Sequence, residues 1–123
     1  MNSRKILLSG AIFMALAILL GAFGAHALKT SLSPEMLADY KTGVEYQFYH
    51  ALGLLLIGLI GFNVQSKWLQ RSAILLCIGI LLFSGSLYIL SITGIKMIGA
   101  ITPLGGLSLV TGWIFLALAI WKS

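Results

Sequence analysis

A chain of 123 residues that is 59% hydrophobic, 9% charged and of mean hydropathy +1.04 carries too little charge to cover a soluble domain, in which about a quarter of residues are charged. Several apolar runs reach the roughly 18–20 residues that cross a ~30 Å hydrocarbon core, so the sequence reads as an integral membrane protein. The net charge of +5 is no nucleic-acid signal, because the basic residues are scattered at the ends of the apolar runs, where they anchor helices and set topology.

Arg4 and Lys5 precede a first span over residues 6–28. A basic head, an apolar run and Ala25-His26-Ala27 also describe a cleavable signal, but the run exceeds a signal's usual ~7–15-residue core, so an uncleaved span is expected. Ala17, Gly21 and Ala25 have the small-xxx-small spacing that lets helices approach closely. Lys29–Lys41 is the most polar stretch. Ser33-Pro34 has the form of an N-cap with proline at the first helical position, and Glu35 stands in the first turn. Met36, Leu37, Tyr40 and Val44 then share a face, which predicts a short amphipathic interfacial helix that either stands alone or runs on into the second span.

The second span is expected over 44–62, with Gly53 as a packing position. Its mouth, Thr42-Gly43-Val44-Glu45-Tyr46-Gln47-Phe48-Tyr49-His50, is the most chemically loaded stretch of the chain. On a helix, Thr42, Glu45 and Tyr49 share one face, and Tyr46 and Gln47 lie one turn before His50. A third span follows over 71–91, apolar at first and then hydroxylic at Ser84-Gly85-Ser86-Leu87-Tyr88. The fourth, over 100–121, opens with Thr102-Pro103-Leu104-Gly105-Gly106 and carries Ser108 and Gly112 at small-xxx-small spacing. Cys77 is the single cysteine, so no internal disulfide exists, and one thiol inside an apolar run reads as a small hydrophobe.

These elements predict an all-α integral membrane protein: four transmembrane helices in an antiparallel bundle, one transmembrane domain over residues 1–123. Four spans put both termini on one side, with Arg4, Lys5, Lys67, Arg71 and Lys122 and no acid. The positive-inside rule makes that side cytoplasmic. His26, Glu45, Tyr46, Tyr49, His50, Ser84, Ser86, Tyr88 and Thr102 then collect at the opposite end. Ionisable groups in spans are functional candidates by default, and a histidine beside a carboxylate titrates near neutral pH. The plainer reading has the same groups bonding one another and water at headgroup depth, with the tyrosines as an aromatic belt. No catalytic triad or phosphate-binding loop is visible, and a zinc site would have to draw on His26, His50 and Glu45.

Gly21-Ala22-Phe23-Gly24-Ala25-His26, Thr42–Gln47 with Tyr49-His50-Ala51, Ser84–Tyr88, Thr102–Gly106 and Gly112-Trp113 together resemble the signature of a family of small membrane proteins catalogued as domain of unknown function four-two-three. The resemblance implies four spans, a bacterial plasma-membrane location and, for some members, an association with membrane integrity. It implies no cofactor, substrate or catalytic residue. The leading expectation is a non-enzymatic inner-membrane protein supporting envelope integrity, with the lipid bilayer and either a second copy or another membrane protein as partner, and no nucleic acid. The competing expectations are a small proton, ion or solute transporter working through the polar end, and an accessory subunit of a larger membrane complex.

Overall fold

Three side-chain caps start the long helices of the computed structural model, which describes residues 1–123. Asn2 accepts from the Lys5 N–H at the head of α1 (Ser3–His26). Ser33 accepts from the Met36 N–H at the head of α2 (Pro34–Ile60), with Pro34 in the first turn. Ser66 accepts from the Trp68 N–H at the head of α3 (Lys67–Gly79). Each bond satisfies a donor that the first helical turn cannot pair internally.

Of the two arrangements expected for the interfacial segment, the second holds: it runs on into the second span as one uninterrupted helix. The reason is local. Pro34 is the only strong helix breaker near this segment, and it sits where its missing N–H costs nothing. The glycines of α2 stay helical because each receives a neighbour: Gly43 the ring of Tyr88, Gly53 the indole of Trp113, Gly58 the side chain of Leu7.

The third crossing is longer than expected and is not one regular helix. It runs from Lys67 to Thr93, with a π-helical turn over Ile80–Ser84 between α3 and α4 (Gly85–Thr93). The Gly85 N–H reaches back to the Ile80 carbonyl, the five-residue step of a π turn. Gly105 of α5 (Thr102–Trp121) lies against the backbone of Leu82 and Phe83 at this turn, so close that any Cβ would collide with it. Gly94, with φ of +70°, ends α4 in the left-handed conformation that glycine adopts without penalty. A 3₁₀ turn over Lys96–Ala100 leads into α5, whose Pro103 occupies the first turn as expected.

Four helical stretches are thus long and apolar enough to cross a membrane, joined by short connections and running antiparallel. Packing is pairwise before it is collective. α1 lies along α2, α3 lies along α5, and α2 meets α4 and the π turn to join the two pairs. Near the termini Ile6 of α1 enters the same core as Leu54, Leu76 and Leu116. Phe13 also packs against this core, but α2 is the main neighbour of α1, and on its outer face Leu8, Ile18 and Leu19 are about 60% exposed or more, as a lipid-facing stripe must be.

The small-residue contacts differ in part from the expected ones. Ala17 is buried and Gly21 lies so close to Val44 that a Cβ there would stand 3.3 Å from its side chain, but Ala25 is exposed. The buried small face of α1 is Gly10, Ala17 and Gly24, at heptad spacing, with Gly24 seated on the ring of Tyr40. Gly53, Ser108 and Gly112 all pack within the chain. The Ser108 hydroxyl donates to the Leu75 carbonyl at 2.7 Å, and the Ser72 hydroxyl donates to the Gly112 carbonyl at 2.7 Å. The Ser108–Gly112 face is thus used for packing α5 on α3.

Candidate functional site

The centre of the polar end is Gln47. Tyr40, Gly43, Gln47, His50, Leu54 and Ile57 recur every three to four residues along α2, and all are buried, which is the stripe that faces the bundle. From this stripe the Gln47 amide nitrogen donates to the Phe13 carbonyl of α1 at 2.8 Å, and its oxygen accepts from the Tyr88 hydroxyl of α4 at 2.6 Å. One side chain therefore ties three helices. Two neighbouring bonds extend the tie. The Tyr40 hydroxyl donates to the Leu20 carbonyl at 2.6 Å, and the Ser84 hydroxyl donates to the Gly43 carbonyl at 2.6 Å. The rings of Tyr40 and Tyr88 meet at 5.2 Å between centroids.

A second group joins the π turn to α5. The hydroxyls of Ser86 and Thr102 lie 2.6 Å apart, and Ser86 also bonds the Phe83 carbonyl at 2.9 Å. Beside it stands an aromatic array. Tyr46 and Phe83 are 4.5 Å apart, Tyr46 and His50 6.1 Å, and His50 and Trp113 5.8 Å between ring centroids. His50 itself is only 7% exposed, and its Nδ1 bonds the Tyr46 carbonyl of its own helix at 2.6 Å.

The structure divides the residues that the sequence placed in one cluster. Ser84, Ser86, Tyr88, Thr102 and His50 face inward. Thr42, Glu45 and Tyr49 do share one face, but it is the outer one: Glu45 and Tyr49 are exposed, and the Thr42 hydroxyl bonds only the Ala38 carbonyl of its own helix. Glu45 borders a shallow pocket with Gly24, Tyr40 and Lys41, away from His50. Five residues on an α-helix subtend about 140°, so the two side chains leave α2 in different directions. His26 is exposed at the end of α1. No three histidine, cysteine or acidic side chains gather as a metal site, which removes the zinc arrangement of His26, His50 and Glu45. Tyr40 and Gln47 are interior residues that the sequence reading named but left out of the cluster. The signal that finds them is their place on the Tyr40–Ile57 stripe.

The fold and this arrangement can be set beside known proteins. A family profile described as "Protein of unknown function (DUF423)" matches residues 20–106, the stretch that holds Gln47, His50, Ser84, Tyr88 and Thr102. The chain belongs to this family. Among its relatives are the UPF0382 membrane protein YwdK of Bacillus subtilis, 44% identical over 97% of this chain and 98% of that one, and the UPF0382 membrane protein SH2409 of Staphylococcus haemolyticus, 41% identical over 97% of each. The UPF0382 inner membrane protein YgdD of Escherichia coli is 37% identical over 92% of this chain and 86% of its own. No solved structure matches. The chain is therefore a membrane protein of a DUF423 family whose function is unknown, and its polar end lies inside the part that the family profile matches.

Proposed function

We propose that this DUF423 protein is a non-enzymatic bacterial plasma-membrane protein that supports envelope integrity, with both termini in the cytoplasm. It acts as a rigid bundle that associates through its outer faces with lipid and with a second copy or another membrane protein. One observation carries this reading: no enclosed side-chain nitrogen or oxygen is left without a partner. Gln47, Tyr88, Ser84, Ser86 and Thr102 hold helices to one another. A transporter would need such groups to exchange between protein and cargo, and here each is already committed. Interhelical bonds of this kind are worth roughly 0.6–2 kcal/mol apiece in membranes, so several together give the bundle one fixed arrangement.

The test pairs a phenotype with a transport assay. A strain lacking the gene is expected to admit a membrane-impermeant dye faster, with the barrier restored by the wild-type gene and not by a bundle-weakening Gln47→Leu variant. Proteoliposomes of wild type, Glu45→Gln and His50→Ala are expected to show no proton or cation flux above empty vesicles. Flux in the wild type that both folded variants abolish would overturn the reading in favour of transport.

A further inference from the structure

His50 leaves one ring nitrogen unused. A carbonyl oxygen only accepts, so the Nδ1 that faces the Tyr46 carbonyl carries the proton, and the neutral ring holds its lone pair on Nε2. Nε2 has no partner in the chain, and because no enclosed side-chain nitrogen is unpaired, this atom reaches the molecular surface. The surface it reaches is a groove of about 560 Å³ between α2, the π turn and α5, lined by Tyr46, Phe83, Pro103, Leu107 and Trp113. His50 lies ten residues before the end of α2 at Ile60, about 15 Å at 1.5 Å per residue, which is near the middle of a ~30 Å hydrocarbon core. Water that would pair an acceptor elsewhere is scarce at that depth, and an unpaired polar atom there is costly.

We propose that this groove binds a lipid-soluble phenol or hydroquinone, whose hydroxyl donates to His50 Nε2 and whose ring lies among Tyr46, Phe83 and Trp113. The acceptor calls for a donor that brings its own apolar body. The aromatic walls select among such bodies: a flat ring meets them in offset or edge-to-face contact, which an alkyl alcohol cannot. A phenolic hydroxyl is also the stronger donor toward an imidazole nitrogen. The binding site stands on the groove and the lone pair alone, and does not depend on a role in envelope integrity.

The experiment titrates the ¹⁵N-histidine-labelled protein in detergent micelles with 2-decylhydroquinone and, separately, with its dimethyl ether, which has the same body and no donor. The hydroquinone is expected to saturate, moving the His50 Nε2 resonance while exposed His26 stays still. The ether should bind about tenfold more weakly, the value of one net hydrogen bond. Gly106→Leu gives a second arm. A Cβ at Gly106 meets the Phe83 ring at 3.8 Å, an ordinary contact, and Gly106 lines the groove, so the larger side chain should occupy it and abolish binding. Equal titration by the hydroquinone and its ether overturns the proposal, as does unchanged binding in folded Gly106→Leu. The comparison of the two probes on the wild type decides the matter even where the variant unfolds.

Discussion

Gln47 is the residue on which the bundle's polar interior depends, and a double-mutant cycle measures that dependence. Gln47→Leu strips the Phe13 carbonyl of its second donor and leaves the Tyr88 hydroxyl facing hydrocarbon, so it is expected to lower stability by roughly 1–3 kcal/mol. Tyr88→Phe alone removes a donor from the amide and should cost less. The two together should cost less than their sum, because the second change removes a group that the first left unpaired. Reversible unfolding of the four proteins in mixed micelles checks this, and strict additivity would mean that the 2.6 Å Tyr88–Gln47 bond contributes nothing. Gln47 also shows where sequence reading stops. The charged and titratable neighbours Glu45 and His50 drew the chemistry, whereas an amide signals nothing until its partners are known. Those partners are a carbonyl of α1 and a tyrosine 41 residues away, and neither is encoded near it. The buried stripe Tyr40–Gly43–Gln47–His50 was nevertheless present in the spacing, and weighing burial before chemistry would have found it.

At the scale of elements, the four apolar crossings and their order were legible because a bilayer imposes length and composition directly on the chain. The π turn was not. Ile80–Ser84 is an ordinary apolar run, and nothing in its composition separates π from α. What distinguishes it is a partner: Gly105 admits the backbone of α5 against Leu82 and Phe83, and Ser84 turns to the Gly43 carbonyl of α2. Adjacent glycines therefore predict opposite outcomes. Gly105→Ala forces its methyl into the Phe83 backbone, which cannot step aside as a side chain can, and should destabilise the bundle by about 1–3 kcal/mol, the usual cost of overpacking. Gly106→Ala meets only the Phe83 ring at ordinary distance and should be neutral or slightly stabilising, since alanine is the better helix former. Thermal unfolding of the two variants side by side is the check. Equal stability would mean that α5 does not press on the π turn as described.

The whole molecule has one end rich in positive charge and one end that holds its only acids, and this polarity argues for its orientation. Arg4, Lys5, Lys67, Arg71 and Lys122 lie at the end that carries both termini, while Glu35, Asp39 and Glu45 lie at the other with Lys29, Lys41 and Lys96. At the basic end Arg71 and Lys122 both lie over the ring of Trp68, at 5.5 and 5.2 Å from its centroid. This end thus joins cations from α3 and from the close of α5 on one interfacial aromatic, an arrangement suited to the negatively charged cytoplasmic leaflet. Since short-loop Lys and Arg set orientation, the proposed topology expects the connection over 61–66 in the cytoplasm and the connection over 27–33 outside it. Single cysteines in a Cys77→Ala background test this directly. At Thr30, which is exposed, a cysteine should react with a membrane-impermeant maleimide added to intact spheroplasts. At Gln65, also exposed, it should react only after the membrane is opened. Reversed labelling would place the basic end outside. It would also mean that five cations against none are outweighed by some feature of the first crossing, whose Arg4 and Lys5 would then be the residues to exchange first.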